Sequence, residues 1–109
     1  MKIENVPFGL TDWSKIQPTR HPGLSGDAYW RTIEIGNIRV RMVEYTPGYV
    51  ADHWCQRGHV LLVLEGELET ELEGGERFIL TPGMSYQVAD GASSHRSVTK
   101  TGARLFIVD

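Results

Sequence analysis

Four histidines and a single cysteine are the residues in this sequence best suited to hold a metal ion or to supply a nucleophile. His53 and Cys55 are separated by one residue. In an extended strand side chains alternate with a period of two, so both would project from one face while Trp54 projects from the other. His59 follows after Gln56-Arg57-Gly58, where a turn or bulge can bring it back beside His53. His95 is distant in sequence and joins them only through tertiary pairing. Imidazole is a ligand for zinc, iron, copper and nickel, and three or four converging donors make a site. His21 lies in a proline-rich stretch and reads as a bystander. Taken singly, a histidine near a strand end is more often hydrogen-bonded or exposed than a ligand, and a lone cysteine is more often a small buried hydrophobe. The sequence has no Cys-x-x-Cys pair and no His-Glu-x-x-His helix, so spacing alone does not establish a site. A Cys55 thiolate activated by His53 or His59 is the nucleophilic alternative. It ranks below metal binding, because no oxyanion hole or third orienting group is readable.

These side chains must be positioned by strands. From Ala28 onward the chain is a succession of short runs rich in Val, Ile, Leu, Tyr and Thr: 28–35, 38–46, 49–54, 59–65, 67–73, 77–80, 85–89, 95–99 and 104–108. The breaks carry Gly36-Asn37, Pro47-Gly48, Gly66, Gly74-Gly75, Pro82-Gly83, Asp90-Gly91 and Thr101-Gly102. That rhythm predicts an all-β sandwich or barrel, and no stretch in it sustains a helical period. Val60-Leu61-Leu62-Val63-Leu64 is apolar at every position, which predicts a strand covered on both faces and favours a dimer. Residues 1–27 contain Pro7, Pro18 and Pro22 and are expected to form an irregular arm. One helical turn over Thr11–Ile16 is capped by Thr11 or Asp12, and the arm packs on the 28–109 domain through Phe8, Leu10, Trp13 and Ile16.

The bulk properties remove several classes of function. A length of 109 residues argues for one domain. A net charge of -3 offers no basic surface for nucleic acid. A single cysteine excludes an internal disulfide framework. No apolar run approaches the ~20 residues that span a bilayer, and the N-terminus lacks the apolar core of a signal peptide. A reducing cytoplasm is the expected location.

Two segments resemble the motifs of the cupins. In Pro47-Gly48-Tyr-Val-Ala-Asp-His53-Trp-Cys55-Gln-Arg-Gly-His59, followed by Val-Leu-Leu-Val-Leu-Glu-Gly66, Gly48 and His53 match the opening glycine and first histidine of the first motif. Cys55 stands where the second histidine would be, His59 where the glutamate would be, and Gly66 at the closing glycine. In Pro82-Gly83-Met-Ser-Tyr-Gln-Val-Ala89-Asp-Gly91-Ala-Ser-Ser-His95, Gly83, Gly91 and His95 match the second motif. Ala89 replaces its usual proline, and Thr99 stands at its terminal asparagine. The string Asp52-His53-Trp54-Cys55 also resembles a group of small cupins described by a DHCW motif, with the last two letters exchanged. The resemblance implies an all-β jelly-roll barrel (a double-stranded β-helix) over 28–109. It also implies a divalent transition metal, Zn, Fe, Ni, Mn or Cu, held by His53, His59 and His95, with Cys55 as a further donor. A thiolate there would favour zinc or copper.

Three functions fit this reading. The first is a metal-dependent enzyme acting on a small molecule inside the barrel, contacted by Arg41, Glu44, Tyr86 and Gln87, with Asp52 orienting His53 or capping its turn. Glu44 shares a strand face with Met42, which directs it into the barrel or to its mouth; Arg39 and Arg41 take the other face, where at least one is solvated. The second is a binding module that holds a small ligand or senses a metal without turnover. The third is a metal-free barrel with structural histidines. A homodimer is expected in each case.

Overall fold

The computed structural model describes residues 2–109; Met1, the first residue of the arm, lies outside it. Nine strands follow one 3-10 turn: β1 (Thr19–Pro22), β2 (Asp27–Ile35), β3 (Ile38–Tyr45), β4 (His59–Gly66), β5 (Leu68–Leu72), β6 (Arg77–Leu80), β7 (Ser85–Val88), β8 (His95–Val98) and β9 (Ala103–Val108). They form a six-stranded sheet in the order β1-β2-β3-β9-β4-β7 and a three-stranded sheet in the order β6-β5-β8. All pairings are antiparallel. The two sheets face each other as a jelly-roll sandwich. Continuous strand pairing does not close them into one barrel; isolated bridges at Ser25↔Val50 and Val50↔Val98 join them at one end.

The expected runs and the strands agree closely, because turn residues set their ends. Gly36 takes a φ of 55° at the first position of the two-residue β2–β3 turn, a conformation that costs glycine little. Gly66 takes a φ of 78° where β4 ends, and a Cβ there would lie 2.1 Å from the carbonyl oxygen of Gly102. Two readings need correction. The arm is not wholly irregular, since β1 pairs with β2 through Thr19↔Trp30 to Pro22↔Asp27. The run 49–54 is not a strand: it lies along β8 with bridges only at Val50 and, just beyond the run, at Cys55.

The core between the sheets holds Leu61, Leu68, Leu105 and Val63, each less than 2% exposed, with Val43, Ile107 and Leu80 around them. Burying each such side chain contributes roughly 1.5–3 kcal/mol. Tyr45 and Tyr49 stack at 4.2 Å and close one side of it. On β4, Leu61 and Val63 point inward, whereas Val60 and Leu64 point outward and are 46% and 38% exposed. The apolar run is therefore covered on one face only within the single chain. In the arm, the side chain of Asp12 caps the Trp13–Lys15 turn, and Trp13 meets Phe106 edge-on at 6.4 Å. Ile16 is half-buried and its carbonyl accepts from Arg31 Nε. Phe8 and Leu10, expected to pack, are 95% and 92% exposed. Among the described residues no helix is long and apolar enough to cross a membrane.

Candidate metal centre and its cavity

Three elements bring donors to one point. His59 opens β4 and faces inward, its position set by Gly58. A Cβ at Gly58 would lie 2.5 Å from the Asp90 nitrogen, and the Gly58 N–H donates to Asp90 Oδ1 at 2.6 Å. His95 opens β8. Cys55 lies opposite it in a two-way backbone pair, Cys55 N–H to His95 O at 2.8 Å and His95 N–H to Cys55 O at 3.0 Å. Such partners project side chains on the same face. One donor atom from each of Cys55, His59 and His95 lies within 4.8 Å of the others, with both histidines buried.

His53 does not join this group. Between Val50↔Val98 and Cys55↔His95, the segment before β4 advances from residue 50 to 55 while β8 runs only from 98 to 95. The segment therefore holds two residues more than β8 does, and the excess is expelled as a bulge around Asp52 and His53. The side chain of His53 is 73% exposed and its Nδ1 lies 2.6 Å from Asp52 Oδ1. The period-of-two argument that paired His53 with Cys55 fails because 52–54 is not extended strand. His53 still stands at the rim of the same cavity.

The imidazoles are oriented by what lies behind them. His95 Nδ1 is 2.8 Å from the Ser93 carbonyl oxygen and so donates to it. His59 Nδ1 is buried without a hydrogen-bond partner and points to Asp109 Oδ2 at 3.6 Å. Both Nε2 atoms then face each other at 3.1 Å, and Tyr86 Oη lies 2.8 Å from His59 Nε2. Two nitrogen lone pairs at that distance repel unless a proton or a cation lies between them. Nitrogen donors sharing one tetrahedral zinc are separated by roughly 3.3 Å, given ~2.0–2.1 Å bonds. Facing imidazoles, a thiol and oriented second nitrogens fit a metal ion. The contact with His95 lowers the Cys55 thiol below its ordinary value, against the opposing effect of burial, and the same contact raises His95. Burial pushes the Tyr86 phenol up, so it stays protonated.

The donors line one wall of a cavity of about 340 Å³ that also contains Trp30, Arg39, Arg41 and Arg57. Arg39 and Arg41 point inward while their neighbours Val40 and Met42 point outward, so β3 turns its charged face to the interior. Arg41 is 6% exposed, and neither arginine lies on a solvated face. Glu44 lies on the exposed outer side, which corrects its expected place in the barrel. Gln87, paired with Val60 on that same side, is also exposed. Asp52 orients His53 as expected but lies in the bulge. Tyr86 and Arg41 are thus the two expected contacts that line the cavity. His21, read as a bystander, stacks on Trp30 at 3.8 Å.

Asp109 went unrecognised in the sequence. Its backbone pairs with Arg39 beyond the end of β9, with N···O distances of 2.6 and 2.9 Å. Its side chain is 1% exposed and meets Arg39 Nε at 2.8 Å and Arg41 Nη2 at 3.0 Å. Burial pushes its carboxyl up, but the contacts with His59 and Arg39 and the charges of Arg41 and Arg39 outweigh that and hold it well below the usual range. No local pattern marks Asp109; the one signal was its position one residue past an alternating strand.

No protein-family model and no curated protein matches the chain. Solved structures do. Ectoine synthase from P. lautus aligns with a TM-score of 0.74 and 20% identity, covering 93% of this chain and 76% of that one. A predicted oxalate decarboxylase from Thermotoga maritima gives 0.74 and 14%, covering 92% and 96%. An RmlC-like cupin from Shewanella frigidimarina gives 0.67 and 22%, covering 96% and 88%. At these identities the likeness is one of fold, and together with the two antiparallel sheets it establishes that this chain is a small protein with the cupin fold.

Proposed function

We propose that the chain is a metal-binding cupin whose ion is held by Cys55, His59 and His95, and that it acts on a small molecule in the adjoining cavity. The observation that carries this reading is the 3.1 Å approach of two imidazole Nε2 atoms whose other nitrogens are both turned to acceptors. Two imidazoles and a thiolate favour zinc or copper over manganese or iron. Bound there, the ion would supply Lewis-acid polarisation of a ligand oxygen. The chain's own residues supply the rest. Tyr86, kept protonated by burial, offers a hydroxyl at the wall shared with His59. Arg41, held by Asp109, presents positive charge to the cavity, and the apolar flanks of Trp30, Leu61 and Ile107 exclude water.

A free thiol stays reduced most readily in a reducing compartment, which supports the cytoplasm as its location. The outward Val60 and Leu64, with Leu62 between them on β4 and its partner Phe106 on β9, support a homodimer that covers this face.

Metal analysis of purified protein after growth with zinc, copper, iron, nickel and manganese tests the reading. About one equivalent per chain, lost in His59→Ala and in His95→Ala, is expected. A folded protein that takes up none of these ions sinks it and leaves the histidines structural.

A further inference from the structure

Beside the donor group, the cavity wall carries a cluster of arginines that the fold only partly pairs. The guanidinium groups of Arg39, Arg41 and Arg57 converge on the one carboxylate of Asp109, at 2.8, 3.0 and 3.6 Å. Arg39 engages both oxygens of Asp109, so Arg41 and Arg57 share a carboxylate that is already taken, and a buried guanidinium short of partners is costly. The side chain of Arg41 is 7% exposed, and its Nε is buried with no hydrogen-bond partner. Its plane lies over Trp30 at 4.4 Å, which fixes its orientation toward the cavity. Arg57 is half-exposed at the mouth, with 54% of its side chain accessible. Asp52, exposed on the bulge, is already engaged with His53. Arg96, which also lines the cavity, is neutralised by Glu71 at 2.7 Å.

We infer that this cavity binds a small carboxylate, held by Arg41 from within and Arg57 at the mouth, with its remainder directed at the Cys55–His59–His95 wall. The volume of about 340 Å³ lies at the small end of ligand pockets and suits a short organic acid. A planar guanidinium matches the two oxygens of a carboxylate, as Arg39 and Asp109 already do within the chain. Phosphate groups are commonly cradled by backbone N–H groups at helix N-termini or glycine-rich nests, and the elements lining this cavity are strands and an extended segment. The inference rests on the proposed use of the cavity as a ligand site, but not on the metal.

The test titrates purified protein with malonate and, separately, with inorganic phosphate at pH 7, read by calorimetry. One saturable malonate site is expected, binding malonate more tightly than phosphate. Arg57→Gln weakens malonate by roughly threefold, as for a rim charge, and Arg41→Gln by roughly thirtyfold or more. Arg41→Gln breaks a buried pair, so Arg57→Gln, on the half-exposed rim, provides a variant whose fold is not at stake. Chelator-treated, metal-free wild-type protein retains the malonate site. Its retention separates failure of this inference from failure of the metal reading. Absence of saturable malonate binding, tighter binding of phosphate, indifference to both arginine variants, or loss of malonate binding in the metal-free protein would each overturn it.

Discussion

Cys55 and His95 form a hydrogen-bonded backbone pair, exchanging N–H···O contacts of 2.8 and 3.0 Å across the junction between β8 and the segment that precedes β4. The pair places thiol and imidazole side by side, and the bulge before it turns His53 away. The identity of the third donor follows from this register: Cys55 takes the place that the local spacing gave to His53.

That register leaves His53 outside the proposed donor group. Replacing His59 or His95 by alanine is expected to lower metal affinity by more than the roughly 10–100-fold typical of losing an outer partner. His53→Ala should leave it within about threefold, as expected for an exposed side chain outside the donor group. Competition with a chromophoric chelator measures both. An equal loss in His53→Ala would show that the bulge closes over the ion.

The thiol should betray its neighbour. Metal-free protein is expected to react with iodoacetamide with a pH midpoint below the ordinary 9.0 of a cysteine, because His95 stabilises the thiolate. His95→Ala should raise that midpoint toward 9.0, and bound metal should slow alkylation at every pH. A midpoint unchanged in His95→Ala would remove the contact from consideration.

Asp109 links the site to stability. Its folded carboxyl is held below its unfolded value of 3.8, so its contribution is present above that pH and is lost as pH falls through the folded value. Wild-type stability should therefore decline from about pH 4 downward, and Asp109→Asn should lose that part of the acid dependence. Asp109→Ala leaves Arg41 buried and short of a partner, at a cost of about 3–5 kcal/mol near neutrality. Urea unfolding across pH 2–7 reads both effects. A parallel pH profile in Asp109→Asn would contradict them.

Tyr86 would compete with the proposed metal for one nitrogen. Its hydroxyl lies 2.8 Å from His59 Nε2, the atom proposed to bind the ion. Tyr86→Phe should destabilise metal-free protein by about 1 kcal/mol and metal-loaded protein by less, as thermal unfolding with and without metal would show. Equal losses in the two states would place the ion elsewhere.

The outer face of β4 gives an oligomer test. Wild-type protein is expected to sediment as a dimer, and the double variant Val60→Lys, Leu64→Lys as a folded monomer. Both residues are exposed in the single chain, so the fold should tolerate the change. A monomeric wild type would leave this apolar face without the proposed partner.

The sequence by itself determined where the chain turns. Gly36, Pro47-Gly48, Gly66 and Pro82-Gly83 end strands because of local backbone preferences, and those are legible residue by residue. The apolar runs between them marked the strands, and His59 and His95 stood out as candidate donors at strand starts. Which side of each strand faces inward was not legible on β3. There the apolar residues Val40 and Met42 cover the outer face while Arg39 and Arg41 enter the cavity, so alternation showed two faces without showing which was inside. Which side chain joins the two histidines, and the Asp109 anchor, were decided only in three dimensions. One depends on a bulge that shifts pairing by two residues against β8, the other on a backbone pair between residues 39 and 109. Both are consequences of cross-strand register, which no single segment of sequence encodes.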